Sequence, residues 1–412
     1  MTVSDLVAEY GSPLWMADLD RARDAFRDLS ALFARNWGDT EIAYSFKTNR
    51  LVALLVALTD EGAAAEVVCD AEYALARDVL ALDGDRVVIN GPAKTDALLA
   101  RAACDGALVM CDAADEIDRA TAAGVGRIGL RVSQPGAFGA ASRFGIPPDE
   151  VVAAAGRAAR FGLQLEALGT HVVSTDVLVP PDAGSRLADR VRVLWPRGPE
   201  DHVRAARCLA RIAREVRVAG WPIRTLDIGG GLPAPADSVG HVHGIAQALR
   251  DEGFDGRLIA EPGRALVAAA VDLVCSVVAV KRLEDGRRAV VVDAGTNHVA
   301  GALWQWPSVR SLEDGPPAGP AMVCGPLCLN IDILHPAADL PDVRPGELIV
   351  IEGVGAYAQS HATQFGDVRP AVIARDHGRW TLARRREELS DLIDPEMPAS
   401  IAIGHLHEKG LT

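Results

Sequence analysis

One lysine of this sequence stands where a nucleophilic amine would be useful. Lys47 lies in the stretch Ala43–Arg50, at the end of an apolar run and directly before an apolar helical segment that opens with Leu51. If this run is a strand that ends in a barrel mouth, burial lowers the pKa of the lysine, and its amine can attack an aldehyde. Taken alone, a lysine at the end of a strand is more often an ordinary surface residue.

Two later stretches place glycines and charges at the ends of other short apolar runs. Asp227–Pro233 contains three consecutive glycines, whose backbone N–H groups can approach a phosphate closely. A tight turn with positive φ explains these glycines equally well. Glu261–Arg264 puts an acid and a base three residues apart, which suits a ligand that carries both charges. A structural salt bridge is the alternative for this pair.

These candidate residues need a scaffold that gathers the ends of several strands. From Ala64–Val68 to Arg257–Ile259, short apolar runs alternate with helical stretches rich in Ala, Leu and Arg. About eight such units predict a parallel (β/α)8 barrel, for which a doubly wound open sheet is the alternative. Closely spaced Val-rich runs follow and predict an antiparallel β-domain. We therefore expect an α/β protein with a barrel over 15–264, and a β-sandwich or β-barrel domain built from 1–14 and 265–412.

The composition argues against several classes of protein. Lys and Arg total 42 against 56 Asp and Glu, a net charge of −14, which disfavours a nucleic-acid or anionic-membrane partner. The seven cysteines include no CxxC pair, so we expect a reduced, cytoplasmic protein. The acidic start Met1–Glu9 is unlike a signal peptide, and the apolar stretch Ala265–Val280 is too short to span a bilayer. No metal site is expected, because His241 and His243 form a lone pair in a predicted loop.

Taken together, these stretches resemble the fold-type III pyridoxal-phosphate decarboxylases, the family that includes diaminopimelate and ornithine decarboxylases. The resembling segments follow the family's order over nearly the whole chain: Tyr10–Leu14, Ala43–Asn49, Ser142–Ile146, His171, Gly229–Gly231, Glu261–Arg264, Cys324–Cys328 and Gly355–Tyr357. Each segment alone is weak evidence, whereas all of them in the same order are strong evidence.

The resemblance implies a pyridoxal 5′-phosphate cofactor held by Lys47 as a Schiff base. His171 would lie against the cofactor ring, Glu261 would face its pyridine nitrogen, and Cys328 would reach the substrate from a second subunit. The protein would then be a homodimer with shared active sites, and Lys47, His171, Glu261 and Cys328 would form its catalytic set. The implied cofactor contacts are Lys47, Glu66, Arg131, His171, Ser174, Gly230, Gly231, Glu261, Gly263, Arg264 and Tyr357. A satisfied core histidine and a packing tyrosine are the alternatives for His171 and Tyr357.

Glu261 also bears on the type of reaction. Loss of carbon dioxide leaves an electron pair on the α-carbon, and a carboxylate at the pyridine nitrogen keeps the ring protonated and a strong electron sink. Alanine racemases, which share the barrel, place an arginine there. The resemblance therefore favours a decarboxylase over a racemase or epimerase. A non-catalytic pyridoxal-phosphate carrier is the third interpretation, which the predicted β-domain and Cys328 disfavour.

Two stretches depart from the diaminopimelate decarboxylases that the chain resembles. Gly301 stands near the position of their arginine for the distal carboxylate, and Leu329 replaces the acid that binds the distal amine. Loss of both charges predicts that diaminopimelate is not the substrate. Asn297, His298 and Asp332, taken as the substrate-binding residues, resemble a divergent branch that serves siderophore and other secondary-metabolite pathways.

The substrate expected from this branch is a free or carrier-tethered amino acid. The aromatic loop Trp304–Pro307 replaces a basic one in the family. It either shapes an unusual pocket or packs at a subunit interface.

Overall fold

The computed structural model describes residues 1–134, 142–172, 175–178, 191–194, 198–303 and 306–396 of the chain. They form two compact units. The barrel unit comprises Leu19–Ala270 and Gly355–Ser360, and the sheet unit comprises Met1–Asp18, Val271–Val354 and the chain from His361 onward. The units change a few residues after the boundaries expected from the sequence, because the first strand pairs within the sheet unit.

The chain opens with two elements of the sheet unit, helix α1 (Val3–Tyr10) and strand β1 (Leu14–Asp18). A capping box starts α1. The Thr2 hydroxyl accepts a hydrogen bond from the Asp5 backbone N–H, and the Asp5 carboxylate accepts one from the Thr2 N–H at 2.8 Å. The cap fixes the start of the helix, so that Leu6 is buried in the core of this unit.

Eight strands of the barrel unit close into a parallel barrel. In chain order the barrel strands are β2 (Thr40–Ser45), β3 (Ala64–Val67), β4 (Val87–Ile89), β5 (Leu108–Cys111), β6 (Arg127–Arg131), β7 (Gln164–Gly169), β10 (Thr225–Asp227) and β11 (Arg257–Ala260). Between β7 and β10, strands β8 (Thr175–Leu178) and β9 (Val191–Leu194) form a separate antiparallel pair. β11 pairs with β2 and closes the ring. The predicted (β/α)8 barrel is confirmed, and the open-sheet alternative is wrong.

The helices of the barrel unit alternate with these strands. They are α2 (Leu19–Asn36), α3 (Val52–Asp60), α4 (Asp70–Ala74), α5 (Asp96–Asp105), α6 (Glu116–Ala122), α7 (Val151–Arg160), α8 (Pro199–Val218), α9 (Val239–Asp251) and α10 (Arg264–Val267). Their apolar residues recur every three or four positions, as in α2, where Ala22, Phe26, Leu29 and Phe33 are buried. This spacing turns one face of each helix toward the protein interior.

Aliphatic side chains and one methionine fill the inside of the barrel. The cluster there consists of Ala43, Ala64, Val88, Leu108, Met110, Ala167 and Ile259. The Met110 side chain occupies the space beside two strand glycines, since a Cβ at Gly129 would lie 2.3 Å from its sulfur and a Cβ at Gly169 would lie 2.5 Å from its methyl carbon. The interior is therefore packed below the strand ends, and open space occurs above them.

The sheet unit contains a nine-stranded sheet. Beside β1, its strands are β12 (Val271–Arg282), β13 (Arg288–Val292), β14 (Ser308–Ser311), β15 (Pro320–Cys324), β16 (Ile333–Asp339), β17 (Leu348–Glu352), β18 (Ala371–Asp376) and β19 (Arg379–Arg384). The last short helices of the chain are α11 (Ala358–His361) and α12 (Leu389–Ile393). The predicted C-terminal β-domain is confirmed. Its sheet is mixed rather than wholly antiparallel, because long connections let β1 pair in parallel with β18 and β13 with β15.

Within the described ranges, no helix has the length and the run of apolar residues that crossing a bilayer requires.

Two glycines that each precede a barrel strand give a matched test of the packing. A Cβ at Gly256 would lie 2.1 Å from the Arg224 carbonyl oxygen, whereas a Cβ at Gly126 meets nothing within 4 Å. Because the backbone must shift to relieve this clash, we expect Gly256→Ala to lower the free energy of unfolding by about 2 kcal/mol. Gly126→Ala should change it by less than about 0.5 kcal/mol. Chemical denaturation followed by circular dichroism measures both, and equal stability of the two variants would contradict the prediction.

Candidate active site

The carboxyl ends of the barrel strands surround a cavity of about 380 Å³. Parallel strands in a closed barrel end on the same face, so residues far apart in the sequence meet there. The polar side chains that line the cavity are Lys47, Glu66, Asn90, Arg131, Thr170, His171, Asp227 and Glu261. All of them belong to the barrel unit.

Lys47 and Glu66 form an ion pair in this cavity. Lys47 sits in the short turn Phe46–Thr48 after β2, and its Nζ lies 2.5 Å from Oε2 of Glu66 on β3. The Ser45 hydroxyl donates to the same oxygen at 2.6 Å. Burial opposes a charged amine, but the carboxylates of Glu66 and Glu261 outweigh it and raise the pKa of Lys47. The lysine is therefore held as a cation in a fixed position.

Two further acids are buried in the cavity wall. Asp227 ends β10, and Glu261 follows β11. Burial, then the charges of Asp227 and Glu66, raise the pKa of Glu261 well above its usual value, and burial raises the pKa of Asp227 to about 6. Asn90 donates through Nδ2 to Oε1 of Glu261 at 2.5 Å. A carboxyl of this kind becomes ionised when a cationic ligand group lies beside it.

The glycine turn after β10 has a backbone conformation that residues with a side chain rarely adopt. Gly229 has φ +66° and Gly231 has φ +82°. At Gly230 a Cβ would lie 2.4 Å from the Glu261 carbonyl oxygen, so no side chain fits. The Gly230 N–H donates to Nδ1 of His171 at 3.0 Å, which leaves the proton of a neutral His171 on Nε2. Burial, followed by the charges of Lys47 and Arg131, lowers the pKa of His171 to about 3, so this ring is neutral.

The segment Gly355–Ser360 belongs to the barrel unit and lies beside the turn that carries Lys47. The Tyr357 N–H donates to the Thr48 carbonyl at 2.8 Å, and the Arg264 guanidinium lies 5.6 Å from the Tyr357 ring centre. Tyr357 has φ +65°, a strained conformation that often marks functional positions. A Cβ at Gly263 would lie 2.0 Å from the Thr48 hydroxyl, so close packing requires a glycine here.

Arg131 ends β6 at the edge of the cavity. Its Nη1 donates to Oδ1 of Asp112 at 3.3 Å, and its guanidinium lies 4.7 Å from the centre of the Phe144 ring. Phe144 also lines the cavity, so the stretch Ser142–Ile146 contributes an aromatic wall next to a positive charge.

Four of the predicted site residues belong to the sheet unit. Asp332 is buried, and its carboxylate accepts hydrogen bonds from the Thr296 N–H at 2.7 Å, the Thr296 hydroxyl at 3.0 Å and the Leu327 N–H at 2.8 Å. Asn297 donates to the Phe365 carbonyl at 3.1 Å, and burial lowers the pKa of His298. Cys328 is exposed. Asp332 thus joins two loops of its own unit.

The structure brings most of the predicted cofactor residues together. Lys47, Glu66, Arg131, His171 and Glu261 line the cavity, and Gly230 is bonded to His171. Ser174 and Trp304 lie outside the described residues. Sequence reasoning assigned no role to Asn90 or Asp227, although both stand at strand ends, and that position alone could have identified them.

The residues of the cavity suit pyridoxal phosphate. Lys47 offers an amine for an aldehyde, Glu261 offers a buried acid for a ring nitrogen, and the glycine turn offers the Gly231 N–H for a phosphate, since the N–H groups of Gly229 and Gly230 donate to Asp227 and His171. Oε1 of Glu66 is buried and has no hydrogen-bond partner in the part of the chain that the structure describes. A polar ligand group in the cavity would satisfy this oxygen.

Comparison with known proteins agrees with this chemistry. Residues 67–355 match the family model described as pyridoxal-dependent decarboxylase, C-terminal sheet domain. The diaminopimelate decarboxylase of Deinococcus radiodurans is 29% identical over 402 residues, which cover 95% of this chain and 97% of the relative. The Helicobacter pylori diaminopimelate decarboxylase is 32% identical over 209 residues, which cover 47% of this chain and 50% of the relative.

Solved structures share the fold. The crystal structure of the Helicobacter pylori diaminopimelate decarboxylase complexed with L-lysine has a TM-score of 0.82 at 24% identity and covers 96% of this chain and 99% of that one. The lysine/ornithine decarboxylase of Vibrio vulnificus complexed with putrescine has a TM-score of 0.76 at 23% identity, with 90% and 96% covered.

We expect Glu66→Gln to lower the pKa of Lys47, because Glu66 is the strongest of the charges that raise it. More of the amine is then neutral at a given pH, so formaldehyde with borohydride should methylate Lys47 at a lower pH than in the parent protein. Mass spectrometry of the cofactor-free protein measures the modification, with exposed Lys281 of the same sample as the reference. A profile for Lys47 that stays in place or moves to higher pH would contradict the prediction.

Proposed function

This chain belongs to the family of pyridoxal-dependent decarboxylases, and from that premise we propose that it removes the α-carboxylate of an amino acid, or of a compound derived from one, in the barrel cavity. It is a decarboxylase, and its cofactor is pyridoxal phosphate. The observation that carries the proposal is Glu261, a buried acid with a raised pKa in the same cavity as the amine of Lys47.

The polar residues of the cavity have separate tasks in this proposal. When bound, the cofactor supplies an electron sink for the pair that remains on the α-carbon after carbon dioxide departs. Lys47 would hold the cofactor through its Nζ. Oε2 of Glu66, 2.5 Å away, accepts a hydrogen bond from that amine and would hold it in position for the aldehyde. Glu261, once ionised, holds a proton on the pyridine nitrogen.

The uncharged His171 supports this arrangement. A positive charge on His171, in addition to those of Lys47 and Arg131, would oppose protonation of the pyridine nitrogen, but the pKa of His171 is lowered to about 3. In this proposal the Gly231 N–H of the glycine turn would hold the phosphate, together with Arg264 and Tyr357. Arg131, Ser174 and Gly263 complete the set of cofactor contacts that we propose.

We propose that the far end of the substrate does not carry a second amine with its carboxylate, as diaminopimelate does. Gly301 and Leu329 replace the two charged residues that diaminopimelate decarboxylases are expected to use for that head group. A Cβ at Gly301 meets nothing within 4 Å, and Leu329 is exposed. These features favour a modified or carrier-tethered amino acid, as in siderophore and other secondary-metabolite pathways.

Diaminopimelate itself is the second candidate substrate. Relatives with that name align with nearly the full length of this chain, as the Deinococcus radiodurans enzyme does. Their names favour this candidate, whereas the missing charges oppose it. Activity measurements separate the two.

We expect carbon dioxide release from at least one member of a panel of free and carrier-tethered amino acids, and negligible release from meso-diaminopimelate. The double variant Gly301→Arg with Leu329→Glu should raise turnover of meso-diaminopimelate at least about tenfold, because it restores two charge-assisted contacts. Lys47→Ala is the inactive control, and a chiral assay of the same samples detects racemisation. Robust turnover of meso-diaminopimelate by the parent enzyme would identify that compound as the substrate.

The enzyme is proposed to work as a two-fold dimer with shared sites. In the family that the chain resembles, the cysteine segment completes the active site of the neighbouring subunit. Cys328 is exposed, as a residue that reaches a second copy must be. A thiol there can donate a proton to the α-carbon, and the partner's domain can exclude water from the cavity.

Mixed dimers test this arrangement. Lys47→Ala and Cys328→Ala should each be inactive alone, and a mixture should recover part of the activity, because one of the two sites in each mixed dimer then carries both residues intact. Gel filtration should give a mass of about twice the 43.4 kDa of one chain, which verifies the dimer. Different affinity tags on the two variants verify that mixed dimers form. A mixture that stays inactive while mixed dimers form would show that Cys328 acts within its own chain or not at all.

A further inference from the structure

Two buried histidines that the proposed function leaves without a task lie behind the glycine turn. His202 is in the first turn of α8, and His241 is near the start of α9. Their exposed fractions are 2% and 8%, and their rings meet edge to face with the centres 5.2 Å apart. Neither side chain lines the cavity of the candidate active site.

His202 contacts the middle glycine of the turn. Its Nε2 lies 3.2 Å from the carbonyl oxygen of Gly230. A carbonyl can only accept a hydrogen bond, so Nε2 carries the proton and Nδ1 does not. Nδ1 is buried and has no hydrogen-bond partner among the described residues. Burial lowers the pKa of His202 to about 4, so the ring is neutral at neutral pH. Nε2 of His202 has a hydrogen-bond partner, whereas its buried Nδ1 has none among the described residues. We infer that the contact with Gly230 determines the orientation of this ring.

Gly230 connects His202 to the cavity. Its carbonyl accepts from His202, while its N–H donates to Nδ1 of His171 at 3.0 Å. Glycine has little conformational preference of its own, and its neighbours Gly229 and Gly231 have positive φ. The turn therefore depends on outside contacts for its orientation. In a trans peptide the carbonyl and the following N–H point in opposite directions, so holding the Gly230 carbonyl on one side directs the Gly231 N–H to the other.

We propose that His202 is a positioning residue for the cofactor. By donating to the Gly230 carbonyl, it orients the Gly231 N–H as a donor to the phosphate. The same contact stabilises the hydrogen bond from the Gly230 N–H to His171, which keeps the proton of His171 on Nε2. The inference rests on the proposed roles of the glycine turn and His171 in cofactor binding. It adds a residue outside the cavity whose effect reaches the cofactor through one glycine.

Two substitutions separate the hydrogen bond from packing. His202→Leu removes the donor, and His202→Gln keeps an N–H near the position of Nε2. For the cofactor-free protein, we expect His202→Leu to weaken binding of pyridoxal phosphate about tenfold, because the buried Gly230 carbonyl loses its donor. Pyridoxal without the phosphate should lose less affinity than pyridoxal phosphate. His202→Gln should remain within about twofold of the parent. His241→Phe, which retains a ring against His202, is the packing control and should bind as the parent does.

Nitrogen NMR of histidine-labelled, cofactor-free protein gives a readout that depends on neither activity nor cofactor. In the parent, His202 and His171 should both carry the proton on Nε2, with signals assigned from single His→Gln variants. In His202→Leu, His171 should become a mixture of its two neutral forms. Equal losses of affinity in His202→Leu and His202→Gln, or a comparable loss in His241→Phe, would overturn the proposal. A proton on Nδ1 of His202 in the parent would overturn it without any variant. Failure of the parent to bind pyridoxal phosphate would contradict the proposed function instead.

Discussion

The contact between the Lys47 amine and the Glu66 carboxylate is the interaction around which the rest of the site is arranged. β2 and β3 pair in parallel with Ser45 opposite Glu66, so the register of two strands places the acid beside the turn that carries the lysine. An isolated lysine in this cavity would lose its charge through burial. The paired carboxylate reverses that effect and fixes the position of the amine.

The other titratable groups of the cavity surround this ion pair. Asp227 and Glu261 add two more acids to a cavity that already contains Glu66, and burial raises the pKa of both. A cavity with this excess of acids is suited to a ligand with a cationic ring, and the amine of Lys47 is suited to the ligand's aldehyde. His171 adds no charge, since burial keeps it neutral.

Side chains of the sheet unit have a different character. Asp332 gives its carboxylate to three hydrogen bonds within its own unit, which joins the loop of Thr296 to the loop of Leu327. An acid used in this way is better suited to holding loops in place than to binding a substrate directly. Cys328, in contrast, is exposed. Gly301 and Leu329, the two residues on which the proposed substrate preference rests, also belong to this unit.

The sequence by itself determined the barrel, the C-terminal β-domain and the family, because alternating apolar runs and local motifs such as Asp227–Pro233 are written into neighbouring residues. It did not determine that β1 joins β12 and β18, or that the sheet contains parallel pairs, since strand pairing between distant segments leaves no local pattern. Only the tertiary structure showed that Asn90 bonds to Glu261 and that His202 holds Gly230. These contacts join residues far apart in the chain, and the geometry of the closed barrel decides which of them meet.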